Sequence, residues 1–136
     1  SDFAHHPTAI SGTLESLRSR WPSYQLVACF EPRSNTAVTN VFQDRFADAL
    51  SHADEVIIGA VHRAEKIPLE KRINTQSMIQ RITANGKQGR SFQSNYEVGE
   101  YLESVNWDTD PRLVVFFSNG SFDGVIDRFV GFSNQS

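Results

Sequence analysis

The chain has 136 residues, of which 39% are hydrophobic and 21% charged, with a formal net charge of -3 at pH 7. That length suits one domain, spanning 1–136, that buries a core without disulfide or metal staples. Acidic and basic residues are interleaved, and no basic stripe suits a phosphate backbone, which argues against a nucleic-acid partner. A small anionic ligand needs only one or two well-placed cations and stays open.

The single cysteine, Cys29, cannot form an intrachain disulfide and offers no metal spacing. It sits in the apolar run 24–30, where a free thiol behaves as a small buried hydrophobe. No apolar stretch has the length of a membrane span and no signal-peptide pattern opens the chain, which points to the cytoplasm and away from a membrane partner. The start, Ser1-Asp2-Phe3, lacks a methionine and reaches a dense polar motif at once, as expected for a piece of a longer protein.

After His6-Pro7, where proline fits the first helical turn, Ile10, Leu14, Leu17 and Trp21 recur at helical spacing. Trp21-Pro22-Ser23 ends that helix, and residues 24–30 form an apolar strand. A polar loop, Glu31 to Thr36, leads to a second helix with Phe42, Phe46, Ala49 and Leu50 on one face. Val56 to Val61 reads as another buried strand. Met78, Ile79 and Ile82 mark a third helix, which Asn85-Gly86 terminates. Ser91-Phe92-Gln93 is a short, weak strand, and Asn95 is the candidate cap of a helix burying Val98, Tyr101, Leu102 and Val105. Leu113 to Phe117 is the clearest strand. Ser118-Asn119-Gly120-Ser121 then turns the corner, and Asp123 is the candidate cap of a last helix with Val125, Ile126, Phe129 and Val130.

Strands apolar on both faces, alternating with amphipathic helices, predict an open α/β fold: a mostly parallel, Rossmann-like sheet with helices on both faces. In such sheets ligands bind beyond the carboxyl ends of the strands. The candidate loops are therefore Asp2 to Thr8, Glu31 to Thr36, His62 to Lys66 and Ser118 to Gly124. A carboxylate such as Asp2 suits a ribose diol, and a histidine before a helix N-terminus sits where backbone N–H groups attract anions. Helix capping and two solvated histidines explain the same residues. His5 and His6 have no third ligand at useful spacing, so no metal site is expected there. Arg33 is suited to a bidentate grip on a carboxylate, with Ser34, Asn35 and Thr36 completing an anion pocket; a solvated arginine on a proline turn is the equal alternative. Asn119 and Gly120 remain candidates on the last loop, and His62 to Lys66 reads as a solvated charge run. No G-x-G-x-x-G turn, phosphate loop or nucleophile elbow is present. The residues by themselves describe an α/β domain with a polar ligand cleft.

Asp2-Phe3-Ala4-His5-His6-Pro7-Thr8-Ala9-Ile10, Glu31-Pro32-Arg33-Ser34-Asn35-Thr36 and Ser118-Asn119-Gly120 with Phe122, in that order, resemble the C-terminal domain of Mur ligases. The likeness is nearest to the branch that joins UDP-N-acetylmuramate to a murein tripeptide, L-alanyl-γ-D-glutamyl-meso-diaminopimelate, in peptidoglycan recycling. Ser1 stands where that branch has an aspartate, and Ala37 to Asn40 replaces a more basic stretch. The resemblance implies an ATP-dependent amide ligase in which ATP phosphorylates the muramate carboxylate and the incoming amine attacks the acyl phosphate. It places UDP-sugar binding, the phosphate loop and the Mg2+ ligands in upstream domains, so the fragment alone is expected to be inactive. By matched position, Asp2 and Phe3 would lie at the ATP ribose, and His5, His6, Arg33, Ser34, Asn35, Thr36, Asn119 and Gly120 at the incoming substrate. None is a covalent nucleophile, and catalysis would come from positioning and charge stabilisation. The same domain of the ligase that adds L-alanine, which usually carries P-H-R-Y-x-R after the second strand, is the alternative within the family. A stand-alone α/β module for a small anion is the alternative outside it.

Overall fold

The computed structural model describes residues 6–109 and 111–134. The elements run α1 (Pro7–Arg20), β1 (Gln25–Phe30), α2 (Gln43–Leu50), β2 (Glu55–Ile58), α3 (Thr75–Ala84), β3 (Gln88–Ser91), α4 (Asn95–Ser104), β4 (Arg112–Phe117) and α5 (Val125–Ser133). The four strands form one sheet in the order β3-β2-β1-β4, and every paired neighbour is parallel.

The alternation of side chains along β1 sorts the core into two layers. Leu26, Ala28 and Phe30 face Ile10 and Leu14 of α1, Phe46 and Leu50 of α2, and Met78 and Ile82 of α3. Val27 and Cys29 face the other way, onto Val98 and Leu102 of α4, Phe122, and Val125 of α5. Helices therefore cover both faces, as the two-sided apolar strands require. Burial pushes the Cys29 thiol far above its ordinary range, with nearby Glu55 adding to the effect, so this cysteine is a core residue. Among the described residues no helix is long and apolar enough to cross a membrane.

Two boundaries differ from expectation. The third strand lies at Gln88–Ser91, not at 91–93. It is an edge strand held from one side, so its signal is charge pairing instead of apolar alternation. Arg90 Nε donates to Glu55 Oε2 on β2 at 3.0 Å and its guanidinium lies over the Tyr101 ring. The strand ends before Phe92, whose N–H still donates to Ile58 O at 2.9 Å while its ring packs on Tyr101. The second strand stops at Ile58, because Gly59 is where the chain passes another buried group: a Cβ there would stand 2.4 Å from Asn95 Oδ1 and 2.7 Å from Phe122 Cε1.

Candidate ligand-binding site

After β1 the chain goes to β2 on one side, whereas β4 lies on the other. The carboxyl ends of β1 and β4 thus flank the switch point of the sheet, where open α/β folds leave a crevice. Glu31 follows β1 and Ser118 follows β4, joined by the bond from Glu31 N to Phe117 O at 3.0 Å.

Glu31 is buried and its carboxyl group is fully engaged. Ser118 Oγ donates to Oε1 at 2.5 Å and Asn95 Nδ2 donates to Oε2 at 3.0 Å. Asn95, also buried, donates to Asp123 Oδ2 at 2.8 Å and accepts from Ala60 N at 2.8 Å. One amide side chain thereby ties together the ends of β1 and β2, the start of α4 and the loop before α5. This corrects two expected helix caps. Ser94 caps α4, accepting from Glu97 N and donating to the Glu97 carboxylate, which frees Asn95 to turn inward. Gly124, at φ +84°, precedes α5, and Asp123 is held by Asn95 in a left-handed conformation shared with Phe122. That unusual run of backbone drives Phe122 into the core against Phe116.

Above this buried network stands Arg33, half-exposed. Its Nη1 lies 3.2 Å from His62 Nδ1 and 4.0 Å from Glu31 Oε2. A guanidinium can only donate, so His62 Nδ1 accepts and the ring proton sits on Nε2. Gly120 passes close beneath: a Cβ there would stand 2.8 Å from Arg33 Nε. Arg33, Asn35 and Asn119 line a cavity of about 430 Å³ with His62, Arg63 and Lys66. No aspartate or glutamate lines it. A desolvated carboxylate placed there would meet guanidinium, ammonium, amide and imidazole groups, with Val38 and Ile67 as the apolar part of the wall.

The other expected site residues divide between loop and helix. Ser34 is buried and its Oγ accepts from Ala37 N at 3.0 Å, closing a turn. The Thr36 carbonyl accepts from Thr39 Oγ1 at 3.0 Å. Gly120 N donates to Ser118 Oγ at 3.0 Å, which fixes the turn that carries Asn119. His6 is the N-cap of α1, where its Nδ1 accepts from Thr8 N at 3.2 Å, and its ring faces Phe42. It does not line the Arg33 cavity. Asp2, Phe3 and His5 lie outside the described residues. Among the described residues no group of three His, Cys, Asp or Glu is placed to hold a metal ion.

Sequence reading passed over Glu31 and Asn95 as site residues and took His62 to Lys66 for solvated surface. One signal was available for Glu31: a carboxyl group directly after a continuous apolar strand must find buried partners or leave the sheet. Nothing local in the sequence shows that the 62–66 loop folds back on Arg33; the bond from His62 N to Pro32 O at 2.9 Å does that.

No family model matches the chain. Among curated proteins, the UDP-N-acetylmuramate–L-alanine ligase of Lactococcus lactis is 35% identical over 63% of this chain and 19% of its own length. The enzyme of that name from Hydrogenovibrio crunogenus is 30% identical over 84% of this chain and 24% of its own. The matched region thus spans only about a fifth to a quarter of these relatives. Among solved structures, a murein peptide ligase from Psychrobacter arcticus superposes with a TM-score of 0.69 at 24% identity, over 93% of this chain and 25% of that one. A UDP-N-acetylmuramate–alanine ligase from Thermotoga maritima gives 0.68 at 19% identity, over 96% and 25%. A single domain from Haemophilus ducreyi, described as part of a UDP-N-acetylmuramate:L-alanyl-γ-D-glutamyl-diaminopimelate ligase, gives 0.63 at 20% identity, over 93% and 82%. The sequence relatives and structural neighbours of this chain are thus Mur ligases, and its fold is that of the Mur ligase C-terminal domain.

Proposed function

We propose that this chain is the C-terminal domain of an ATP-dependent amide ligase that joins UDP-N-acetylmuramate to L-alanyl-γ-D-glutamyl-meso-diaminopimelate in the cytoplasm. The observation that carries the reading is Arg33, held at the switch point over Gly120 in a cavity whose polar lining is cations, amides and His62, with Val38 and Ile67 beside them and no carboxyl group. The incoming peptide carries carboxylates and must present a neutral amine. A guanidinium fixed by His62 grips a carboxylate through two parallel bonds and so orients the amine, which is positioning catalysis. Asn35 and Asn119 add donors at the cavity wall, while Ser34, Thr36 and Gly120 hold the two loops that carry them.

ATP with Mg2+ would supply the phosphoryl group that activates the muramate carboxylate, on domains upstream. Asp2 and Phe3 would meet the ATP ribose and His5 the substrate as the chain enters this domain. His6, committed to capping α1, would act on the position of that entry.

The second reading is the ligase that adds L-alanine, and the 30–35% identity to enzymes of that name favours it. Pro32-Arg33-Ser34-Asn35 lacks the P-H-R-Y-x-R pattern of that branch. The experiment is to incubate the complete protein with ATP, Mg2+ and UDP-N-acetylmuramate, offering the tripeptide or L-alanine, and to weigh the products. Amide formation with the tripeptide and not with alanine is the expected result. The reverse preference selects the second reading, and no amide with either overturns both.

A further inference from the structure

Three cations share the cavity beyond β1: Arg33, Arg63 and Lys66. Arg33 is held by His62 and stands near Glu31. Arg63 and Lys66 are exposed, and among the described residues neither side chain has a hydrogen-bonded or ionic partner. Their backbone is nevertheless well tied. His62 N is bonded to Pro32 O at 2.9 Å, which fixes this segment to the Arg33 loop. Arg63 adopts a left-handed conformation at φ 51° and opens a 3-10 turn, Ala64–Lys66, closed by bonds of 3.0 Å from Lys66 N to Arg63 O and from Ile67 N to Ala64 O. The turn carries both Arg63 and Lys66 to the wall of the same cavity. The acidic residue between them, Glu65, does not line the cavity. Like charges gathered in one concave wall repel, and an anion bound among them removes that repulsion.

We infer that Arg63 and Lys66 form a second carboxylate subsite beside Arg33, so that the cavity takes an amine substrate bearing two or three carboxylates and discriminates against an amino acid bearing one. The inference rests on the reading that the incoming amine substrate binds beside Arg33. The tripeptide carries an α-carboxylate on its glutamyl residue and two on its diaminopimelate, whereas alanine carries one.

The test is to titrate the 136-residue chain with the tripeptide and with L-alanine by calorimetry, as wild type and as the double variant Arg63→Gln, Lys66→Gln. Wild type should bind the tripeptide at least about tenfold more tightly than alanine, the difference shrinking as salt is raised. The double variant should lose about ten- to a hundredfold on the tripeptide, with alanine binding and thermal melting unchanged. Equal affinity of wild type for the two ligands, no binding of the tripeptide, or a double variant that binds it as well as wild type each overturns the subsite. The outcome is separable from the function proposed above. A complete protein that makes no amide, with this binding preference intact, refutes the ligase and leaves the subsite. Amide formation from the tripeptide that the double substitution does not touch does the opposite.

Discussion

The two ends of the sheet each carry a knot of charged and polar groups, and they are finished differently. At the amino end, Arg18 donates to Asp54 Oδ2 at 2.8 Å and to the carbonyls of Tyr24 and His52, while Asp54 also accepts from Leu26 N at 2.8 Å. Every partner is internal, and the knot pins α1 to the start of β1. At the carboxyl end the buried layer of Glu31, Asn95, Asp123 and Ser118 is equally saturated, but a second layer of Arg33, Arg63 and Lys66 opens on a cavity. A charge cluster that satisfies itself serves the fold; one that leaves donors facing a concave wall keeps hydrogen-bonding capacity free.

The comparison is broken most severely through Asn95. Asn95→Ala strips donors from buried Glu31 and from Asp123 and leaves the half-buried Ala60 N without its partner, which should cost about 3 kcal/mol. Urea unfolding would show this as a lower midpoint at unchanged slope. Gly59→Ala attacks the same knot by crowding. Its Cβ would collide with Asn95 Oδ1 and the Phe122 ring, for a loss of roughly 1–3 kcal/mol in the same assay. Arg18→Ala at the amino end should cost less, about 1 kcal/mol, because its pair with Asp54 is a third exposed and screened by water. A loss as large as that of Asn95→Ala would mean that the two knots are equivalent.

The smallest effect concerns an exposed pair between α2 and α3. Hydrogen bonding from Arg81 holds the Asp48 carboxyl below its ordinary range, so the unfolded chain binds the proton more readily. The stabilisation is present above the unfolded carboxylate range and fades as pH falls through the lower folded value. Denaturation measured from neutral to acid pH should show wild type losing its small advantage over Asp48→Asn in that acid window. An advantage that grows on acidification would contradict the sign.

Much of this arrangement was legible in the sequence. Runs such as Leu26 to Phe30, apolar on both faces, admit few architectures other than a covered parallel sheet, and the switch-point rule then nominated the Arg33 and Asn119 loops. What escaped was non-local. Gln88–Ser91 looks like a polar connection until Arg90 is seen to pair with Glu55. Asn95 and Asp123 look like caps because those residue types favour caps, and only the fold shows them bonded to each other. Arg63 and Lys66 sit in a mixed charge run that two bonds of His62, to Pro32 O and to Arg33, bring back to the Arg33 loop.

The measurement that bears most directly on the open carboxyl end is steady-state kinetics of Arg33→Lys in the complete enzyme, with ATP, UDP-N-acetylmuramate and the peptide varied in turn. Lysine keeps the charge and loses the fork. The kcat/KM for the peptide should fall about ten- to 150-fold, equivalent to roughly 1.5–3 kcal/mol, while those for ATP and the UDP-sugar stay nearly unchanged. Equal losses for all three substrates, or no loss for the peptide, would contradict the placing of Arg33 at the incoming substrate.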